Sequence, residues 1–184
     1  MPYFVGIPVG LREIPLKLIE PYREVPKERL HITLVYIGSL KGSKVCVVKS
    51  VLSRVASHHK AFKITLHGVV PLPSFNKPRY LALTVARGKE KLTRLRSEIV
   101  AELTNIELTL EDVYLSDFKP HVTFAETRVK TSTIPQKLLS KIIKMGKRVR
   151  EEVEVREIVL YESTGGVYRV ISRHKLTSPE TYKV

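Results

Sequence analysis

The chain has 184 residues, 43% hydrophobic and 27% charged, which is the size of one domain or two small lobes and excludes a mostly disordered protein. Lysine and arginine number 32 against 18 aspartates and glutamates, a formal net charge of +14, so a polyanionic partner such as nucleic acid or a phosphate ester is expected. A Lys-rich solvated surface of the heat-adapted kind is the bland alternative.

The opening Met1-Pro-Tyr-Phe-Val-Gly-Ile-Pro-Val9 has no basic leader and reads as a strand. No apolar run approaches the ~20 residues of a bilayer span. The lone Cys46 excludes an internal disulfide and a cysteine-cluster zinc site, so a reducing, cytoplasmic setting is expected. After the Tyr3–Val9 strand, Leu11, Ile14 and Leu18 fall at helical spacing, with Pro15 limiting regularity and Pro21 stopping the turn. Leu30–Ile37 alternates as a strand ended by Gly38. Ser43 is a candidate cap for a helix striped by Val47/Val48, Val51/Leu52 and Val55. Phe62–Val70 reads as a strand, and Pro71–Pro78 as a loop.

The second half repeats this order. Arg79–Val85 is a strand, Leu92, Leu95, Ile99 and Leu103 form a helix stripe, and Phe118–Ala125 is a strand. Pro135 suits the first turn of a helix carrying Leu138/Leu139 and Ile142/Ile143, with Gly146 near its end. Val153–Leu160 and Val167–Leu176 read as strands joined through Gly165-Gly166. Displaced by about 90 residues, most elements of the first half fall on those of the second. The expected fold is α+β, two pseudo-symmetric lobes, each a mostly antiparallel sheet backed by helices, around a central groove. It is one bilobal domain over 1–184, with approximate repeats 1–75 and 76–184.

Two motifs fall at equivalent points of that repeat: His31-Ile32-Thr33-Leu34 and His121-Val122-Thr123-Phe124. Residues i and i+2 of a strand share a face, so each motif presents an imidazole and a hydroxyl together. Simple alternation continues the first set as His31, Thr33, Val35, Ile37, with Leu30, Ile32, Leu34 and Tyr36 opposite. Chance gives about 0.1 such matches in a chain of this composition, so the pair carries information. Two histidines can serve at neutral pH as acid and base, and threonine hydroxyls can donate to phosphate oxygens as their charge grows. That is the equipment phosphodiester cleavage needs, and it requires no metal or other cofactor. A metal site is disfavoured because there is no HExxH and neither motif carries a neighbouring carboxylate.

At these residues the chain resembles the 2H phosphoesterase superfamily, and within it the archaeal and bacterial RNA 2′,3′-cyclic phosphodiesterases, also called 2′-5′ RNA ligases. The likeness runs through Phe4-Val-Gly-Ile7, Arg29-Leu-His-Ile-Thr-Leu34, Pro78-Arg79, Phe118-Lys-Pro-His-Val-Thr-Phe124 and the Gly-Gly-Val-Tyr168 hairpin. It implies hydrolysis of an RNA 2′,3′-cyclic phosphate to a 2′-phosphomonoester by a monomer. His31 would be the proton donor to the leaving 3′ oxygen and His121 the base on water, with Thr33 and Thr123 on the phosphate oxygens. Run backwards with an RNA 5′-hydroxyl in place of water, the site would form a 2′-5′ linkage. Arg79 is a weaker phosphate-contact candidate.

Two departures accompany the likeness. Relatives often carry an arginine where this chain has Glu126, with Arg128 nearby. They often have a tryptophan in the strand after Arg79, where Leu81-Ala82 follow Tyr80 and the chain has no tryptophan at all. Of the remaining histidines, His58 and His59 close a basic helix and are expected to face water, while His67 and His174 lie in expected strands without a threonine two residues on. Lys141, Lys144, Lys147, Arg148 and Arg150 read as a solvated helix face or an RNA track. Two other functions stay open: a non-catalytic basic RNA-binding protein, and a phosphodiesterase of small cyclic nucleotides.

Overall fold

The computed structural model describes residues 1–11, 20–112 and 117–178. In chain order the elements are β1 (Pro2–Pro8), β2 (Arg23–Glu24), β3 (His31–Ser39), α1 (Gly42–His58), β4 (Phe62–Ser74), β5 (Lys77–Arg87), α2 (Lys89–Asn105), β6 (His121–Glu126), α3 (Gln136–Gly146), β7 (Arg150–Val155), β8 (Glu157–Thr164) and β9 (Val167–Lys175). They form two antiparallel sheets, ordered β3-β1-β8-β9 and β2-β6-β5-β4-β7. The orders match as β3-β1-β8 and β6-β5-β4, the pseudo-symmetry expected from the repeat. Each sheet nevertheless draws strands from both halves of the chain: β4 joins the second sheet, while β8 and β9 join the first.

The helices form because apolar residues recur every three or four positions, and each buries that stripe. In α1 the buried residues are Val48, Val51, Leu52, Val55 and Ala56; in α2 they are Leu92, Leu95, Arg96, Ile99 and Leu103. Gly146 of α3 lies against β4 so closely that a Cβ there would stand 2.4 Å from a Val69 methyl. Ile32, Leu34, Val122 and Phe124 are at most 1% exposed, and burying each contributes about 1.5–3 kcal/mol. The apolar halves of both His-x-Thr motifs therefore anchor their strands in the core.

Four expectations are corrected. Pro71–Pro78 is not a loop: β4 and β5 run through it and turn only at Phe75-Asn76. Val153–Leu160 is not one strand: it breaks at Arg156, β7 pairing with β4 and β8 with β1. Ser43 does not cap α1, whose N-cap is Lys41 with no side-chain hydrogen bond. His59 does not face water, since its ring is bonded to Glu98 at 2.8 Å. The Leu11/Ile14/Leu18 stripe falls mostly outside the described residues. No helix among the described residues is long and apolar enough to cross a membrane.

Candidate active site

β3 and β6 approach one another at the seam of the two sheets, which brings the motifs together. Their burial patterns are alike: half-buried histidine, buried Ile32 or Val122, an accessible threonine, two buried residues, then a half-buried one. The two consecutive buried residues mark a bulge in each strand. Pairing of β1 with β3 passes from Gly6↔Thr33 to Val5↔Val35, leaving Leu34 extra; pairing of β5 with β6 passes from Ala82↔Thr123 to Leu81↔Ala125, leaving Phe124 extra. Val35 is therefore turned into the core at 0% exposure, and Tyr36, opposite Phe4, joins the histidine face. Simple alternation had these reversed. The second bulge likewise places Glu126, opposite Tyr80, on the face of His121 and Thr123.

Each bulge leaves a carbonyl turned out of its ladder, and the two are satisfied differently. Val25 donates its backbone N–H to the Phe124 carbonyl at 2.8 Å. The Leu34 carbonyl instead accepts from Nε of the buried Arg96 at 2.8 Å. The same guanidinium lies 3.4 Å from the Asp112 carboxylate and 4.8 Å from the centroid of Phe118. Asp112 in turn accepts the Tyr36 N–H at 3.1 Å. One buried arginine on α2 thus ties the first motif's bulge to the approach to the second.

The histidines are held alike. Nδ1 of His31 donates to the Arg29 carbonyl at 2.7 Å, and Nδ1 of His121 to the Lys119 carbonyl at 2.8 Å. A carbonyl can only accept, so Nδ1 carries a proton in both rings and Nε2 is left for chemistry. Their surroundings differ. His31 lies against Phe4 at 5.0 Å, Tyr168 at 5.2 Å and Tyr161 at 6.0 Å between ring centroids. Burial among these rings pushes its imidazole below the ordinary histidine value, and the charges of His121 and Arg29 push the same way, against the Arg29 carbonyl. Gly6 backs this wall: a Cβ there would stand 3.4 Å from His31 Cδ2 and 3.1 Å from the Ile32 carbonyl.

The structure thus gathers His31, Thr33, His121 and Thr123 on adjoining strands, with Ile32, Leu34, Val122 and Phe124 behind them in the core. Arg79 is the extra residue at a further bulge, where pairing of β4 with β5 passes from Pro73↔Pro78 to Leu72↔Tyr80; it is exposed, with its guanidinium 5.8 Å from the Tyr80 ring centroid. Arg128 is exposed beyond the end of β6. Lys141, Lys144, Lys147, Arg148 and Arg150 are all exposed. His67 bonds the Val149 carbonyl and His174 bonds Ser172, so both are occupied in the framework. Sequence reasoning did not assign roles to Phe4, Tyr36 and Tyr161. The signal was present in Leu34-Val35, an apolar pair interrupting strict alternation.

Comparison with known proteins bears on this arrangement. The family model of the 2′-5′ RNA ligase superfamily matches residues 15–167. A protein of Aeropyrum pernix named RNA 2′,3′-cyclic phosphodiesterase is 31% identical over 163 residues, covering 86% of this chain and 88% of that one. One of the same name from Aquifex aeolicus is 29% identical over 170 residues, covering 90% and 86%. Among solved structures, a Thermus thermophilus protein superposes with a TM-score of 0.72 at 19% identity, over 97% of this chain and 99% of that one. E. coli LigT complexed with 3′-AMP gives 0.66 at 19%, over 96% and 99%, which speaks to the fold. With the family model spanning both motifs and most of the chain, this protein belongs to the 2′-5′ RNA ligase superfamily.

Proposed function

We propose that the chain is an RNA 2′,3′-cyclic phosphodiesterase that opens the cyclic phosphate to a 2′-phosphomonoester by paired-histidine acid–base catalysis. One observation carries the reading: two imidazoles on neighbouring strands, each with Nδ1 fixed on the carbonyl two residues earlier and a threonine on the same face. The names of the relatives support the substrate class.

Water attacks phosphorus opposite the 3′ oxygen, and Nε2 of His121 takes its proton. The bond from phosphorus to the 3′ oxygen breaks, and protonated Nε2 of His31 delivers a proton to that oxygen. The products are a 2′-phosphate and a free 3′-hydroxyl. The Thr33 and Thr123 hydroxyls donate to the non-bridging oxygens, whose negative charge increases in the transition state. Both proton transfers use imidazole, so the mechanism asks for no metal. With an RNA 5′-hydroxyl in the place of water, the same displacement forms the bond from phosphorus to the 5′ oxygen as the bond to the 3′ oxygen breaks, joining two strands by a 2′-5′ linkage.

The test is an oligonucleotide ending in a 2′,3′-cyclic phosphate, incubated with the protein in EDTA. A 2′-phosphate product is expected. A 3′-phosphate would reverse the assignment of the leaving oxygen, and loss of turnover on chelation would contradict the metal-free mechanism.

A further inference from the structure

Arg29 ends the short 3-10 turn Lys27–Arg29 that leads into β3. Its carbonyl holds His31, while its guanidinium lies over the Tyr168 ring, 5.2 Å from the centroid. Tyr168 in turn meets the His31 ring edge-on at 5.2 Å. Nη2 of Arg29 lies 4.0 Å from where a Cβ on Gly166 would stand, so the guanidinium sits beside the tip of the β8–β9 hairpin. The tip is built on Gly165 and Gly166, both at positive φ (59° and 82°). Nε of Arg29 is buried and has no hydrogen-bond acceptor, and among the described residues no carboxylate pairs with the side chain.

The pseudo-symmetric copy shows what is unusual here. Lys119 stands two residues before His121 and lends its carbonyl in the same way, but its ammonium is paired with Asp117 at 2.7 Å and both side chains are exposed. Of the two cations in this position, one is neutralised in solvent. The other is half-buried beside its histidine, with no carboxylate paired to it among the described residues. A partly desolvated cation without an anion is costly, and an arrangement that keeps one beside a catalytic imidazole suits a site completed by its ligand. The planar fork of a guanidinium matches two oxygens of a phosphate, and the tyrosine face beneath it fixes its plane.

We propose that Arg29 is a phosphate-binding residue of the cleft, contacting the non-bridging oxygens of an RNA phosphate brought to His31. The assignment rests on the phosphodiesterase reading above and adds a cation to a site otherwise furnished with two imidazoles and two hydroxyls. Two phosphates offer the same chemistry: the reacting cyclic phosphate, and the phosphodiester on its 5′ side.

The experiment compares wild type with R29M, R29Q and R29K on a 2′,3′-cyclic mononucleotide and on an oligonucleotide ending in a cyclic phosphate. Melting temperature is measured alongside, and the two neutral variants guard against a packing defect in either. Removing charge-assisted bonds should raise KM on the order of tenfold to a hundredfold, with partial recovery in R29K. A rise on both substrates assigns the reacting phosphate, and a rise on the oligonucleotide alone assigns its 5′ neighbour. Unchanged KM on both substrates in folded R29M and R29Q overturns the proposal. Inorganic phosphate, titrated into wild type and R29Q by NMR, separates this from the parent reading. If wild type turns over neither substrate but binds phosphate more tightly than R29Q, the phosphodiesterase reading fails and the role of Arg29 stands. Equal phosphate affinity in the two proteins counts against Arg29.

Discussion

His31 and His121 make the same hydrogen bond in different surroundings, and that difference is measurable. The aromatic wall of Phe4, Tyr161 and Tyr168 removes water from His31, so its neutral form is favoured. An NMR titration of the imidazole resonances should find His31 below the ordinary value of 6.5. An anionic phosphate beside the ring favours the imidazolium, so added inorganic phosphate should move the His31 midpoint upward; a fixed midpoint would argue that phosphate does not reach it. The same shift enters stability with a definite sign. The folded pKa lies below the unfolded one, so between the two the unfolded chain binds more protons. The stability from a neutral His31 is present above the unfolded pKa and is lost as pH falls through the folded one. His174, also lowered by burial, contributes with the same sign, so H31Q should reduce the acid-side fall in melting temperature without abolishing it.

At the level of the strand, the two bulges decide which side chains share the face of each histidine. The His-x-Thr face was legible because a two-residue period needs no knowledge of pairing. Val35, Tyr36 and Glu126 were not, because a bulge reverses every later side chain and the sequence marks it only as two adjacent apolar residues. Likewise Pro71, Pro73 and Pro78 suggested a loop, yet a long hairpin accommodates them near its tip, where the ladder is least demanding. The first bulge depends on a buried charge. Arg96 and Asp112 are 6% and 5% exposed in their side chains, and removing one partner of such a pair typically costs about 3–5 kcal/mol. R96M is therefore expected to lower urea stability by about 3 kcal/mol, with part recovered in R96M/D112N. Additive single-mutant losses in that cycle would contradict the coupling.

Across the whole molecule, the repeat at about 90 residues revealed two related lobes, but not that strands cross between them. Sequence order alone does not say which sheet a returning strand joins, and the single residue Arg156 carries the chain from β7 in one sheet to β8 in the other. The crossing ties the halves together, since β1 lies between β3 and β8 and neither sheet can form from one half alone. The +14 charge acts at the same scale: it favours a polyanion over the whole surface, whereas the two His-x-Thr motifs, on contacting strands β3 and β6, mark one place on it.

The most direct measurement is turnover of an oligonucleotide 2′,3′-cyclic phosphate by H31A and H121A, each shown by circular dichroism to be folded. General acid and general base catalysis contribute roughly 10²–10⁴-fold each, so each variant should lose at least two orders of magnitude in kcat. A folded variant of either kind that keeps wild-type kcat would contradict the paired-imidazole account.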